Sequence, residues 1–181
     1  MIIQKFKNEK PKPGSNMSIK TSLTGFEIRL AEKTDLELIL TFIKHLAEYE
    51  KLSHMVTASS RDIEKYLFSE VPVAHVIFGV YNGEAVGFAL YFYNFSTFLG
   101  KPGIYLEDLF VLEHMRGKGF GKELLRYLAK YAVDNGFGRF EWTVLDWNTP
   151  SINFYLSLGA EIKKEWLLNR LTGEALRRLA E

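Results

Sequence analysis

The chain has 181 residues, of which 47% are hydrophobic, 14% aromatic and 25% charged; this fits one compact domain with an ordinary core and excludes wholesale disorder. Lys and Arg number 23 against 22 Asp and Glu, a formal charge of +1, so the basic excess of a protein living on phosphate backbones is missing and no nucleic-acid partner is expected. With no cysteine there is no disulfide scaffold, thiolate metal ligand or cysteine nucleophile, and a reducing cytoplasm is the expected setting.

Residues 1–25 mix Lys5, Lys7, Lys10 and Lys12 with Pro11, Pro13 and Gly14 and carry no apolar leader core. They read as an N-terminal arm that docks weakly or not at all, with Met17 as a second possible start. A single domain is expected over residues 26–181. Phe26, Ile28 and Leu30 alternate with Glu27 and Arg29, the period of a half-buried strand. Thr34 and Glu37 have capping-box spacing, and behind them Leu36, Ile39, Leu40, Ile43, Leu46 and Ala47 predict a helix to about Tyr49. A shorter helix follows Ser59 or Ser60. Runs 74–81 and 84–93 predict strands, joined by Asn82-Gly83, two residues that both tolerate positive φ. The longest uncharged stretch, 85–100, is shorter than the ~20 apolar residues of a membrane helix, so no membrane partner is expected.

Lys101-Pro102-Gly103 reads as a turn before a strand over 104–112. Leu124, Leu125, Leu128, Ala129 and Ala132 then mark a long helix that Asn135-Gly136 ends. A strand over 140–145 follows, and Thr149 as N-cap with Pro150 in the first turn opens a short helix that stops near Gly159. The order is β-α-α-β-β-β-α-β-α-β. It predicts an α/β fold with a mixed, twisted sheet, helices on both faces, and segments 105–112 and 139–146 as neighbouring strands.

Three segments carry chemistry. Arg116-Gly117-Lys118-Gly119-Phe120-Gly121-Lys122 lies between a strand and a long helix, where glycines bring backbone N–H groups near a ligand and the helix start favours an anion. A dinucleotide fingerprint from Gly117 would need glycine at Lys122, and a P-loop would need Ser or Thr at Glu123. The plainer reading is a turn required by packing alone. Glu107 and Asp108 interrupt an apolar strand, so alternation sends one of them toward the protein or leaves the strand at an edge. Residues 147–155, Trp147-Asn148-Thr149-Pro150-Ser151-Ile152-Asn153-Phe154-Tyr155, follow a strand at the end where open α/β sheets bind ligands. By itself Tyr155 reads as a core aromatic. The four histidines, His45, His54, His75 and His114, lack metal-ligand spacing, and no metal site is expected.

In combination these segments resemble the GNAT-type N-acetyltransferases, and among them the diamine (spermidine/spermine) acetyltransferases. Arg116, Gly119 and Gly121 match the family's Arg/Gln-x-x-Gly-x-Gly/Ala motif. Tyr105-Leu106-Glu107-Asp108-x-Phe110-Val111 and Trp147-Asn148-x-Pro150-Ser151-Ile152-Asn153-Phe154-Tyr155 are similar to the diamine subgroup, with a weaker likeness from Phe26 onward that includes Leu46-Ala47-x-Tyr49-Glu50. The resemblance implies acetyl-CoA as co-substrate. Backbone groups around Leu109, Phe110 and Val111 would pair with its pantetheine arm, Arg116 and residues 117–122 would cradle its pyrophosphate, and Asn148, Pro150 and Ser151 would touch it. It implies Glu107 as proton acceptor and Tyr155 as proton donor to the leaving thiolate. Tyr49, Glu50, Asp108, Glu141, Trp142 and Thr143 would line the amine site.

A primary amine is protonated at neutral pH, so attack on a thioester needs a general base nearby. The acidic candidates Glu50, Glu107, Asp108 and Glu141 point to a small cationic acceptor, a diamine, polyamine or lysine-like amino acid. Thr97 stands where polyamine-specific members carry an acid, and Leu158 where a basic residue helps to hold the donor. The same residues leave room for a non-catalytic acyl-CoA-binding module, or for an acetyltransferase acting on protein amines. A homodimer is expected from the resemblance, with Trp166, Leu167, Leu168 and Leu171 as candidate interface.

Overall fold

A computed structural model describes residues 18–181, which fall into two compact units, one ending at Thr143 and a smaller one over Val144–Glu181. Residues 1–17 of the expected arm lie outside the described residues. The first unit holds a six-stranded sheet in sequence order: β1 (Ile19–Lys20), β2 (Phe26–Leu30), β3 (His75–Tyr81), β4 (Glu84–Ser96), β5 (Lys101–Val111) and β6 (Arg139–Trp142). Every neighbouring pair is antiparallel except β5 and β6, which run parallel, so the sheet is mixed. Its helices are α1 (Leu36–Tyr49), α2 (Ser60–Leu67) and α3 (Phe120–Asp134).

Adjacent residues of one strand point to opposite faces, and Phe78-Gly79 and Gly87-Phe88 show what each face receives. Phe78 and Phe88 meet Phe42 of α1, with ring centroids 5.7 and 5.3 Å away. Gly79 and Gly87 instead face Leu124 of α3. Helices therefore cover both faces. The α1 side is a cluster of Ile39, Leu40, Phe42, Ile63, Val76, Phe78, Val80, Phe88 and Phe110; full burial of each such side chain stabilises by about 1.5–3 kcal/mol.

Most expected elements form, with several shifts. Ser18–Gly25 is not a loose arm, because Ile19 and Lys20 pair with Ile28 and Glu27. The capping box expected at Thr34 and Glu37 lies two residues earlier: the Asp35 carboxylate accepts the Glu32 N–H at 2.8 Å. Asp35 is held there by two bonds from Arg29, at 2.6 and 2.8 Å. Ser59 does cap α2, accepting the Asp62 N–H. Lys101-Pro102-Gly103 is strand instead of turn, since β4 and β5 continue pairing to Ser96 and Lys101; the turn is 97–100. The strand expected over 140–145 ends at Trp142.

The second unit contains α4 (Thr149–Ser157) and α5 (Gly173–Leu179). Asn148, not Thr149, is the N-cap of α4, its side-chain oxygen accepting the Ser151 N–H at 3.3 Å. The final strand of the expected order does not form among the described residues.

Candidate active site

β5 is paired differently along its two edges. Against β4 the ladder runs its full length, but Leu90 opposes Asp108 and Tyr91 opposes Leu106, so Glu107 is an extra residue at a bulge. Against β6 the ladder covers only Gly103 to Leu106. From Glu107 on, the outer edge of β5 has no strand beside it in this sheet. Leu112 donates its N–H to Val86 of β4, and by alternation the backbone groups of Leu109 and Val111 point to that outer edge. An extended polar chain can add itself there as a strand would.

At the end of this edge Arg116 folds back. Its Nε donates to the Val111 carbonyl at 3.0 Å, and its guanidinium lies 4.4 Å from the Tyr49 ring centroid and 5.3 Å from that of Phe110. The motif arginine thus ties the end of β5 to the last turn of α1. It also occupies the Val111 carbonyl, leaving Leu109 as the outward residue with both backbone groups toward the edge.

The loop continues into α3 through Gly117 (φ +76°) and Gly119 (φ +88°), a left-handed backbone that other residues adopt at a cost. Gly119 is the N-cap of α3 and has no side chain with which to bond the first-turn N–H groups. Ser59 and Asn148 fill that position for α2 and α4. The N–H groups of Phe120, Gly121 and Lys122 are left for an anion, assisted by the helix dipole. Lys118 and Lys122 are exposed beside them, and Lys118 Nζ lies 5.9 Å from the Tyr81 ring centroid. Phe120 faces inward, stacked on Phe26 at 4.3 Å.

Three carboxylates gather at the bulge. Glu107 is exposed. Asp108 is turned inward, and burial, with the Glu107 and Glu50 carboxylates beside it, pushes its carboxyl up to about 7. Glu50, just past α1, is raised by burial as well. No cation forms an ion pair with any of the three among the described residues, so the cluster suits a cationic guest.

The structure does not bring Glu141 into this group. Its carboxylate accepts from Asn94 Nδ2 at 2.9 Å and lies 2.9 Å from Arg139 Nε, which commits it to the other end of β6. Trp142 packs edge-on to Phe140 at 5.0 Å. Thr143 receives the Tyr105 hydroxyl at 3.4 Å. Tyr105, which opens the motif that contains Glu107, stacks on Phe92 at 5.1 Å. Thr97 begins the β4–β5 turn, at the opposite end of β5 from Asp108, and says nothing about this cluster. In the second unit, Asn148, Pro150, Ser151 and Tyr155 share the first two turns of α4, and Phe154 lies 5.4 Å from Tyr155, ring to ring. Leu158 is the C-cap of that helix.

A profile of the acetyltransferase (GNAT) family matches residues 41–160. An L-ornithine N5-acetyltransferase of Arabidopsis thaliana is 36% identical, over 91% of this chain and 93% of its own. A thialysine N-epsilon-acetyltransferase of Mus musculus is 38% identical, over 84% of this chain and 96% of its own. Among solved structures, an integron cassette protein from the mobile metagenome of V. cholerae matches with a TM-score of 0.73 at 32% identity, over 88% of this chain and 99% of that one.

Proposed function

The chain belongs to the acetyltransferase (GNAT) family and is an N-acetyltransferase, and from that premise we propose that it moves an acetyl group from acetyl-CoA to a primary amine of a small dication. The observation that carries this reading is the bulge in β5. It puts three carboxylates without a cation where the free outer edge of β5 begins, and that edge leads to the uncapped start of α3.

The donor's pantetheine arm pairs with the Leu109 carbonyl, and its pyrophosphate meets the N–H groups after Gly119. Asn148, Pro150 and Ser151 are its further proposed contacts. One ammonium of the acceptor is held by Asp108 and Glu50, with Tyr49 beside them. Glu107 receives the proton from the other nitrogen, whose lone pair then forms a bond to the thioester carbonyl carbon. The Leu109 N–H stabilises the oxyanion. The carbon–sulfur bond breaks as Tyr155 gives its hydroxyl proton to the sulfur; the nitrogen loses its second proton to solvent, which also takes up the proton held by Glu107 and reprotonates the phenol. The names of the ornithine and thialysine acetyltransferases support an acceptor with two cationic nitrogens. A homodimer and a cytoplasmic setting complete the reading; the exposed Trp166, Leu167 and Leu168 support the first, and the absence of cysteine is in keeping with the second.

Release of CoA thiol with a panel of amines, with product masses, tests the proposal. Putrescine, spermidine and ornithine should each gain one acetyl group. The Tyr155→Phe variant should lose about 10²-fold or more in kcat with little change in the Kd for CoA. Acetylation confined to protein amines, or an undiminished kcat in the variant, would contradict it.

A further inference from the structure

Residues 18–25 pack against the loop that the preceding reading assigns to the donor's phosphates. The Thr21 hydroxyl donates to the Phe26 carbonyl at 2.7 Å and accepts the Leu23 N–H at 3.1 Å, while the Phe26 N–H donates to the Leu23 carbonyl at 3.1 Å. These bonds fix a compact turn that presents Ser22 and Leu23 to the start of α3. The Ser22 hydroxyl donates to Glu123 at 2.8 Å, and Arg126 bonds both Ser22 and Glu123, at 3.3 and 3.4 Å. A Leu23 methyl lies 3.3 Å from where a β-carbon on Gly119 would stand. Nothing would lie within 4 Å of a β-carbon on Gly117. Gly119 is thus held from outside, at the residue where the loop becomes helix.

We propose that Ser22 and Leu23 are positioning residues for the phosphate loop, fixing Gly119 and the first turn of α3 so that their N–H groups converge on the donor's pyrophosphate. Two physical effects support this. A glycine loop with few contacts of its own must lose its backbone freedom when a ligand binds, and a prior contact at Gly119 removes part of that loss beforehand. Glu123 is an anion in the turn that would meet an anion; Ser22 and Arg126 hold its carboxylate in bonds of its own, where a freed one would repel the phosphates. Neither residue touches the acceptor carboxylates, so the effect should fall on the donor alone.

The inference rests on the phosphate-loop reading, and the test separates the two. Steady-state kinetics of wild type, Ser22→Ala, Leu23→Ala and Ser22→Thr are compared with acetyl-CoA and with S-acetyl-N-acetylcysteamine, a donor without phosphates. The alanine variants should raise the KM for acetyl-CoA about fivefold each, with kcat and the amine KM within twofold of wild type. The threonine variant, which keeps the hydroxyl, should restore the wild-type value. With the phosphate-free donor all four proteins should have equal kcat/KM. Equal losses with both donors would mean a general folding effect and overturn the proposal, as would unchanged kinetics with acetyl-CoA. Wild type that treats the two donors alike would overturn the phosphate-loop reading and this inference with it.

Discussion

Asp108 is the residue on which the acceptor assignment turns, because its carboxyl lies at about 7 instead of its ordinary value near 3.8. A raised folded-state pKa favours the protonated form. Its stabilising contribution is present in full below pH 4 and is lost as the pH rises through about 7. Wild type should therefore lose melting temperature relative to Asp108→Asn between pH 4 and 7.5. A diamine should recover that loss in wild type, since an ammonium beside the carboxylate replaces repulsion from Glu50 and Glu107 with attraction. Thermal melts across that range, with and without putrescine, check both statements; identical pH profiles for the two proteins would contradict them. The motive for looking at Asp108 was legible in the sequence, as two acids inside an apolar strand. The orientation of each was not. Strict alternation sends neighbours to opposite faces, but the extra residue at the bulge leaves Glu107 exposed while Asp108 turns inward. The bonds of Glu141 were hidden for a related reason. Its place on β6 was foreseeable, whereas the bond it accepts from Asn94 depends on a strand 47 residues away in sequence.

Among the elements, several with a local signal formed where expected, although Lys101-Pro102-Gly103 lies inside β5 and not in a turn. Asn82 (φ +51°) and Gly83 (φ +88°) make the turn between β3 and β4, and Gly136 (φ +69°) follows the end of α3. What local signals left out were caps and ends decided by tertiary contacts. Asp35 serves Arg29 and the Glu32 N–H at once, which moves the cap away from Thr34. β6 stops at Trp142 because its ladder with β5 ends at Leu106, one residue short of the bulge. Ser22 and Leu23 gave no local hint, for their partners lie on α3. The start of α3 carries a prediction of its own. At Gly119 the left-handed backbone and the Leu23 contact both act against a side chain. Asn tolerates that backbone and Val does not, so Gly119→Asn should bind CoA more tightly than Gly119→Val when titrated by calorimetry. Equal losses would mean that occupied space, not backbone conformation, governs the site.

On the scale of the whole molecule, the second unit exposes Trp166 (71%), Leu167 (83%) and Leu168 (70%). Large side chains clustered in this way usually meet a partner surface. A second copy of the chain is the proposed partner. Light scattering at several concentrations should give twice the mass of 20.9 kDa, and a monomer throughout would contradict it. No helix among the described residues is long and apolar enough to cross a membrane, and the near-neutral charge of the sequence matches a small-molecule task better than a polyanionic partner. The central claim is recognition of two positive charges by the carboxylates at the β5 bulge. Its most direct test is kcat/KM for putrescine, spermidine and a lysine analogue against a monoamine of matched length, at low and high salt. Each charge contact of this kind contributes about 1–3 kcal/mol, so the dications should lead by about 5- to 150-fold, by a margin that narrows with salt. A monoamine that performs as well as the dications at both ionic strengths would contradict the account.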